Sequence, residues 1–104
     1  MDRDDMKAAA ERHLLSQGYR VVARDHATRW AKLDFVCRDG PVLVFVQVRD
    51  PRKVKPDRAE REGLARTAAD FLANRGWWHF VCRFDVVVVT EGDPAEVRVV
   101  KDAW

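Results

Sequence analysis

Four polar side chains interrupt otherwise apolar, strand-like runs: Asp34, Gln47, Arg49 and Asp85. Residues two apart on a strand share a face. Lys32 therefore sits with Asp34, and Gln47 sits with Arg49. The separation from Asp34 to Gln47 suits two neighbouring strands of a hairpin. Directly after Gln47 the chain turns basic, reading Arg-Asp-Pro-Arg-Lys-Val-Lys-Pro-Asp-Arg from Arg49 to Arg58. Guanidinium and ammonium groups of this kind are suited to phosphate, arginine through bidentate hydrogen bonds. The same cations also fit a merely solvated loop. His13, His26 and His79 have no ligand spacing with one another or with Cys37 and Cys82, which argues against zinc.

These residues need a scaffold, and the periodicity supplies one. A helix is expected from about Asp4 to Gln17, ended by Gly18. Tyr19 to Arg24 has strand composition, and Asp25 to Trp30 reads as a connection. Leu33 to Cys37 and Val42 to Val48 are strands joined by a turn at Arg38-Asp39-Gly40-Pro41. The second is apolar on both faces until Gln47, as in the middle of a covered sheet. Pro51 and Pro56 bracket a stiff basic loop. Asp57 caps a helix that runs to Arg75 and closes at Gly76. Phe84 to Thr90 is a second buried strand, and Glu96 to Val100 is a short last one. The order is α-β-β-β-α-β-β.

With 104 residues, 47% hydrophobic and 35% charged, the chain suits a single domain over residues 1–104. No apolar run is long enough to cross a bilayer. The charged start, Met1-Asp2-Arg3-Asp4-Asp5, is not a secretory signal. The two cysteines lie in apolar runs and read as buried thiols of a reducing compartment, so a cytoplasmic location is expected. A net charge of +2 is too mild to announce nucleic-acid binding by itself.

Three blocks, in order and spacing, resemble the YraN-like family of small bacterial proteins. The first is Gly18-Tyr19 with Val21-Val22-Ala23-Arg24. The second is Leu33-Asp34-Phe35-Val36, Arg38-Asp39-Gly40 and Leu43 to Arg49. The third is Leu64-Ala65-Arg66 with Cys82-Arg83-Phe84-Asp85-Val86-Val87. The resemblance implies a restriction-endonuclease-like, or Holliday-junction-resolvase-like, αβββαβ core with a mixed central sheet flanked by helices. In that core an acidic residue on one strand and Glu-x-Lys on its hairpin partner hold Mg²⁺ and stabilise the scissile phosphate.

The chain keeps the surroundings of that motif and departs at its chemical positions. Asp34 matches. Gln47 replaces the glutamate, Arg49 the lysine, and Lys32 the glutamate of a Glu-x-Asp pair. Lys7 stands where the family's first helix has a glutamate. A cation–carboxylate pair at 4 Å is worth about 4 kcal/mol at an effective dielectric of ~20. Such cations would compete with Mg²⁺ or Mn²⁺ for Asp34 and Gln47. The expectation is a nucleic-acid-binding protein with a degenerate, inactive nuclease site and no cofactor. Lys7, Lys32, Arg49, Arg52, Lys53, Lys55 and Arg58 would form its track for a DNA or RNA backbone.

Two alternatives stand beside it. One is an Mg²⁺- or Mn²⁺-dependent endonuclease, with Asp34 and Gln47 on the metal and Arg49 on the phosphate. The other is a protein-interaction module using Trp77 and Trp78, one of which caps the core. A homodimer stays open, because related resolvase folds work as dimers. If catalysis is lost, Asp34 is expected to pair with Lys32 or Arg49. Asp85 is expected to pair with Arg83 or a cation of a neighbouring strand. Trp30 precedes the site and could line it; Trp104 carries no reading.

Overall fold

The computed structural model describes residues 1–103; Trp104 lies outside the described residues. Two helices and five strands follow in the expected order. Helix α1 (Arg3–Ser16) begins slightly earlier than expected, because Asp2 accepts a hydrogen bond from the Asp5 amide at 2.8 Å. Helix α2 (Arg58–Arg75) starts with a full capping box between Asp57 and Glu60. It closes at Gly76, whose φ of 65° is left-handed backbone that a side chain would strain.

The strands are β1 (Arg20–Ala27), β2 (Lys32–Asp39), β3 (Val42–Arg49), β4 (Val81–Thr90) and β5 (Glu96–Val100). They form one sheet in the order β1-β2-β3-β4-β5. Neighbours are antiparallel except β3 and β4, which are parallel. A parallel pair needs a crossover, and α2 supplies it.

Alternation along the strands sends apolar groups to two layers. Phe35, Cys37, Val44, Val46 and Val48 pack with Ala9, Ala10 and Leu14 of α1. Leu33, Val36, Leu43 and Phe45 pack with Leu64, Ala68 and Phe71 of α2. The product is a mixed sheet with a helix on each side. The loop after β3 is tethered rather than free. Val54 packs against the cluster of Val86, Val88 and Ala103, and Pro56 is buried.

Three expectations are corrected. Residues Asp25 to Ala27 belong to β1, not to a connection, because His26 and Ala27 pair with Leu33 and Lys32 of β2 although Asp25 and His26 are polar. β4 begins at Val81 rather than Phe84, lengthened by pairing with Val42 to Val44. Cys82 is only half-buried, whereas Cys37 is buried; both are free thiols. Among the described residues no helix is long and apolar enough to cross a membrane.

Candidate functional site

The β2–β3 ladder runs from Asp39↔Val42 only as far as Phe35↔Val46. Beyond it β2 stays on β1, and β3 stays on β4. The hairpin therefore opens where Asp34 and Gln47 stand. Side chains replace the missing backbone partners. The Asp34 carboxylate accepts from the Val48 amide at 2.7 Å, and Arg3 donates to the Val48 carbonyl at 2.6 Å. The circuit closes with Arg3 donating to Asp34 at 2.7 Å.

Asp34 is thus paired with Arg3 of α1, not with Lys32 or Arg49 as expected. The reason is that both of those cations are engaged elsewhere. Lys32 and Lys7 share Asp25, Lys32 at 3.2 Å. Both bonds lower the Asp25 pKa, that from Lys7 the more strongly. Arg49 donates to Gln47 Oε1 through Nε at 3.0 Å and Nη2 at 2.6 Å, and to Glu60 at 2.7 Å. Its side chain is only 10% exposed. Gln47 donates its own amide hydrogen to the Lys32 carbonyl at 3.1 Å.

Two clefts flank this point. One of about 290 Å³ is bounded by Arg3, Trp30, Lys32, Asp34, Gln47 and Glu60. The other, of about 370 Å³, meets Arg3, Gln47, Arg49 and Lys53. Five cations (Arg3, Lys7, Lys32, Arg49 and Lys53) and three carboxylates (Asp25, Asp34 and Glu60) are paired around them. The balance at the hairpin mouth is positive. Among the described residues no group of three or more His, Cys, Asp or Glu side chains stands together as a metal cage.

The remaining expected cations lie further out. Lys53 reaches Glu60 at 3.0 Å but stays 61% exposed. Arg52 pairs with Asp50, and Arg58 with Glu62, each as a solvent-exposed pair. Lys55 is exposed, with no ion pair among the described residues. Trp77 packs on Phe71 and Phe80, while Trp78 is 63% exposed, so the pair divides between core and surface. Asp85 binds Arg83, as expected.

Sequence reasoning missed Arg3, Asp25 and Glu60. Glu60 carried a visible signal as the third residue after the Asp57 cap, but its second role toward Arg49 had none. Hydrogen bonds from Arg49 and Lys53, and the Asp57 amide, lower its pKa from 4.5 to about 2. A depressed carboxylate stabilises the fold above its unfolded pKa and loses that contribution as pH falls through the folded value. Thermal melts of Glu60→Gln should fall below those of the wild type at pH 7. The gap should close between pH 4.5 and about 2. A gap that persists unchanged at pH 2 would contradict the assignment.

A mixed five-stranded sheet between two helices, with its β2–β3 hairpin opening on a polar cleft, has the architecture of a nuclease-like α/β core. The chain belongs to the uncharacterised protein family UPF0102, the YraN-like family, whose model matches residues 7–89. A UPF0102 protein of Methylobacillus flagellatus is 33% identical to it, covering 97% of this chain and 94% of the relative. One of Anaeromyxobacter dehalogenans is 39% identical, covering 89% and 74%. One of Symbiobacterium thermophilum is 38% identical, covering 88% and 83%.

Proposed function

We propose that this protein binds a nucleic-acid backbone at the mouth of its nuclease-like core and does not cut it. The observation that carries the reading is what holds the two candidate metal ligands. Gln47 Oε1 receives two hydrogen bonds from Arg49, and Asp34 Oδ2 receives Arg3 and the Val48 amide. Mg²⁺ or Mn²⁺ needs several free oxygen ligands. Here it would compete with guanidinium groups at Gln47 Oε1 and Asp34 Oδ2, against the positive charge of Lys7, Lys32 and Lys53. The donor set does not suit a divalent ion.

Binding falls to the exposed cations rather than to the enclosed ones. Lys7 and Arg49 shape the cleft but are committed to Asp25, Gln47 and Glu60. Lys32, Arg52, Lys53 and Arg58 make only partly or fully exposed ion pairs, Lys55 has none among the described residues, and all five can turn to phosphate. Exposed ion pairs such as Arg52–Asp50 are worth little, so exchanging a carboxylate for a phosphate costs little. The loop that carries three of them is tethered by Val54 and Pro56, which limits the entropy lost on binding.

Each phosphate neutralised on duplex DNA contributes about −0.9 to the slope of log K against log salt. Five contacts predict a slope of about −4.5, and Lys53→Ala with Lys55→Ala should flatten it by about 2. Anisotropy titrations of a labelled duplex at several salt concentrations, in EDTA, provide the check. A slope unchanged by the double substitution, or no binding at low salt, would overturn the proposal.

A further inference from the structure

We propose that Trp30 is a stacking platform for an unpaired base, so that the cleft takes nucleic acid with a single-stranded segment. The inference rests on the backbone-binding reading above and names the ligand class of the same site. Trp30 lies in the β1–β2 loop and lines the cleft beside Lys32, Asp34 and Gln47. It is 42% exposed, so solvent and a ligand in the cleft can both reach the ring.

Exposure here does not mean looseness. The Thr28 amide donates to the Ala31 carbonyl at 2.9 Å, and the Trp30 amide to the Thr28 hydroxyl at 3.1 Å. That hydroxyl in turn bonds Thr67 of α2 at 2.8 Å. A Cβ at Gly63 would stand 2.8 Å from the Trp30 carbonyl oxygen, so only glycine lets the loop lie this close on the helix. The indole is therefore displayed from a fixed backbone, and little ordering remains to be done on binding.

Charge around the ring fits a base joined to phosphate. The Arg29 guanidinium lies 4.8 Å and that of Arg66 5.6 Å from ring centroids of Trp30. Such contacts are weak where water reaches them. An entering base can displace one guanidinium from the ring, and that group can then pair with the adjoining phosphate. Bases in an intact duplex hide their faces in the stack, whereas unpaired bases offer them to aromatic side chains.

The test measures anisotropy of a labelled single strand and of a blunt duplex of equal length. The proteins are wild type, Trp30→Ala, Trp30→Phe and Arg66→Ala. Trp30→Ala should weaken single-strand binding about tenfold or more and duplex binding less than about twofold. Trp30→Phe should keep most of the affinity, and Arg66→Ala should weaken the single strand selectively. Single-strand binding should also quench indole emission in the wild type more than in Trp30→Phe. Melting curves of Trp30→Ala should match the wild type, since the loop is held through backbone and threonine groups. Equal loss on both ligands, or no loss on either, overturns the platform alone. Failure of the wild type to bind either oligonucleotide at low salt overturns the backbone-binding reading and the platform with it.

Discussion

Asp85→Ala is expected to cost about 4 kcal/mol. Asp85 is fully buried in β4, and both its oxygens are used. Oδ1 accepts from Arg83 Nε at 2.8 Å and from the Asp102 amide at 3.0 Å. Oδ2 accepts from the Tyr19 hydroxyl and from Arg83 Nη2, both at 2.9 Å. Arg83 continues to Asp39 at 2.8 Å, and Lys101 approaches the same carboxylate. One carboxylate thus joins the start of β1, the end of β2, β4 and the C-terminal turn. Burial pushes the Tyr19 hydroxyl pKa up, and its bond to Asp85 pushes it further. Alanine would leave a mostly enclosed guanidinium and a buried hydroxyl short of acceptors, the costly way to break such a network. Tyr19→Phe removes two bonds, the one donated to Asp85 and the one accepted from Arg83 Nη2, but leaves the carboxylate in place and should cost only about 1–2 kcal/mol. Urea unfolding gives both values, and an Asp85→Ala loss below about 1 kcal/mol would contradict this account.

The second large effect belongs to Asp34. Asp34→Ala should cost about 3 kcal/mol, although Asp34 stands at the residue of the motif that matches the nuclease pattern. The substitution strips the Val48 amide of its acceptor at a buried position and leaves Arg3 without its counter-charge. Arg3 is half exposed, so water recovers part of that loss and the figure sits at the lower end for a buried pair. Asp34→Asn keeps a carbonyl oxygen for Val48 and should cost about half as much. Denaturant curves are expected to be the same with EDTA and with Mn²⁺. A metal-dependent shift in the wild type that Asp34→Ala abolishes would point to a metal ligand instead. For any activity assay Asp34→Asn is the safer variant, because Asp34→Ala confounds chemistry with folding.

How much of this was legible in the sequence depended on how local the cause was. The α2 boundaries were readable because Asp57, Glu60 and Gly76 act on backbone groups within a few residues. The sheet layers were readable because Val42 to Val46 and Val86 to Val89 leave no polar face to expose. The last part of β1 was hidden, since Asp25 and His26 are polar side chains on an edge strand and only the pairing with β2 makes them strand. At the site, the departures at Lys32, Gln47 and Arg49 were visible, and so was the positive balance. Their partners were not. Arg3 meets Asp34 across 31 residues, and Arg49 chooses Glu60 over Asp34 because α2 brings that carboxylate to 2.7 Å. No spacing rule encodes either choice, because both follow from where the two helices dock on the sheet. Trp30 showed its position in the sequence but not its clamp, which depends on Gly63 and Thr67 more than thirty residues later.

On the proposed reading, positive side chains hold the ligands that a catalytic ion would need, while outer cations still hold nucleic acid. One titration addresses both halves. A labelled branched DNA is titrated with the protein in EDTA and again in excess Mn²⁺, and the same samples are then run on a denaturing gel. Coincident binding curves and intact strands are expected in both buffers. Strand breaks that appear only with Mn²⁺ and vanish in Asp34→Asn would contradict it.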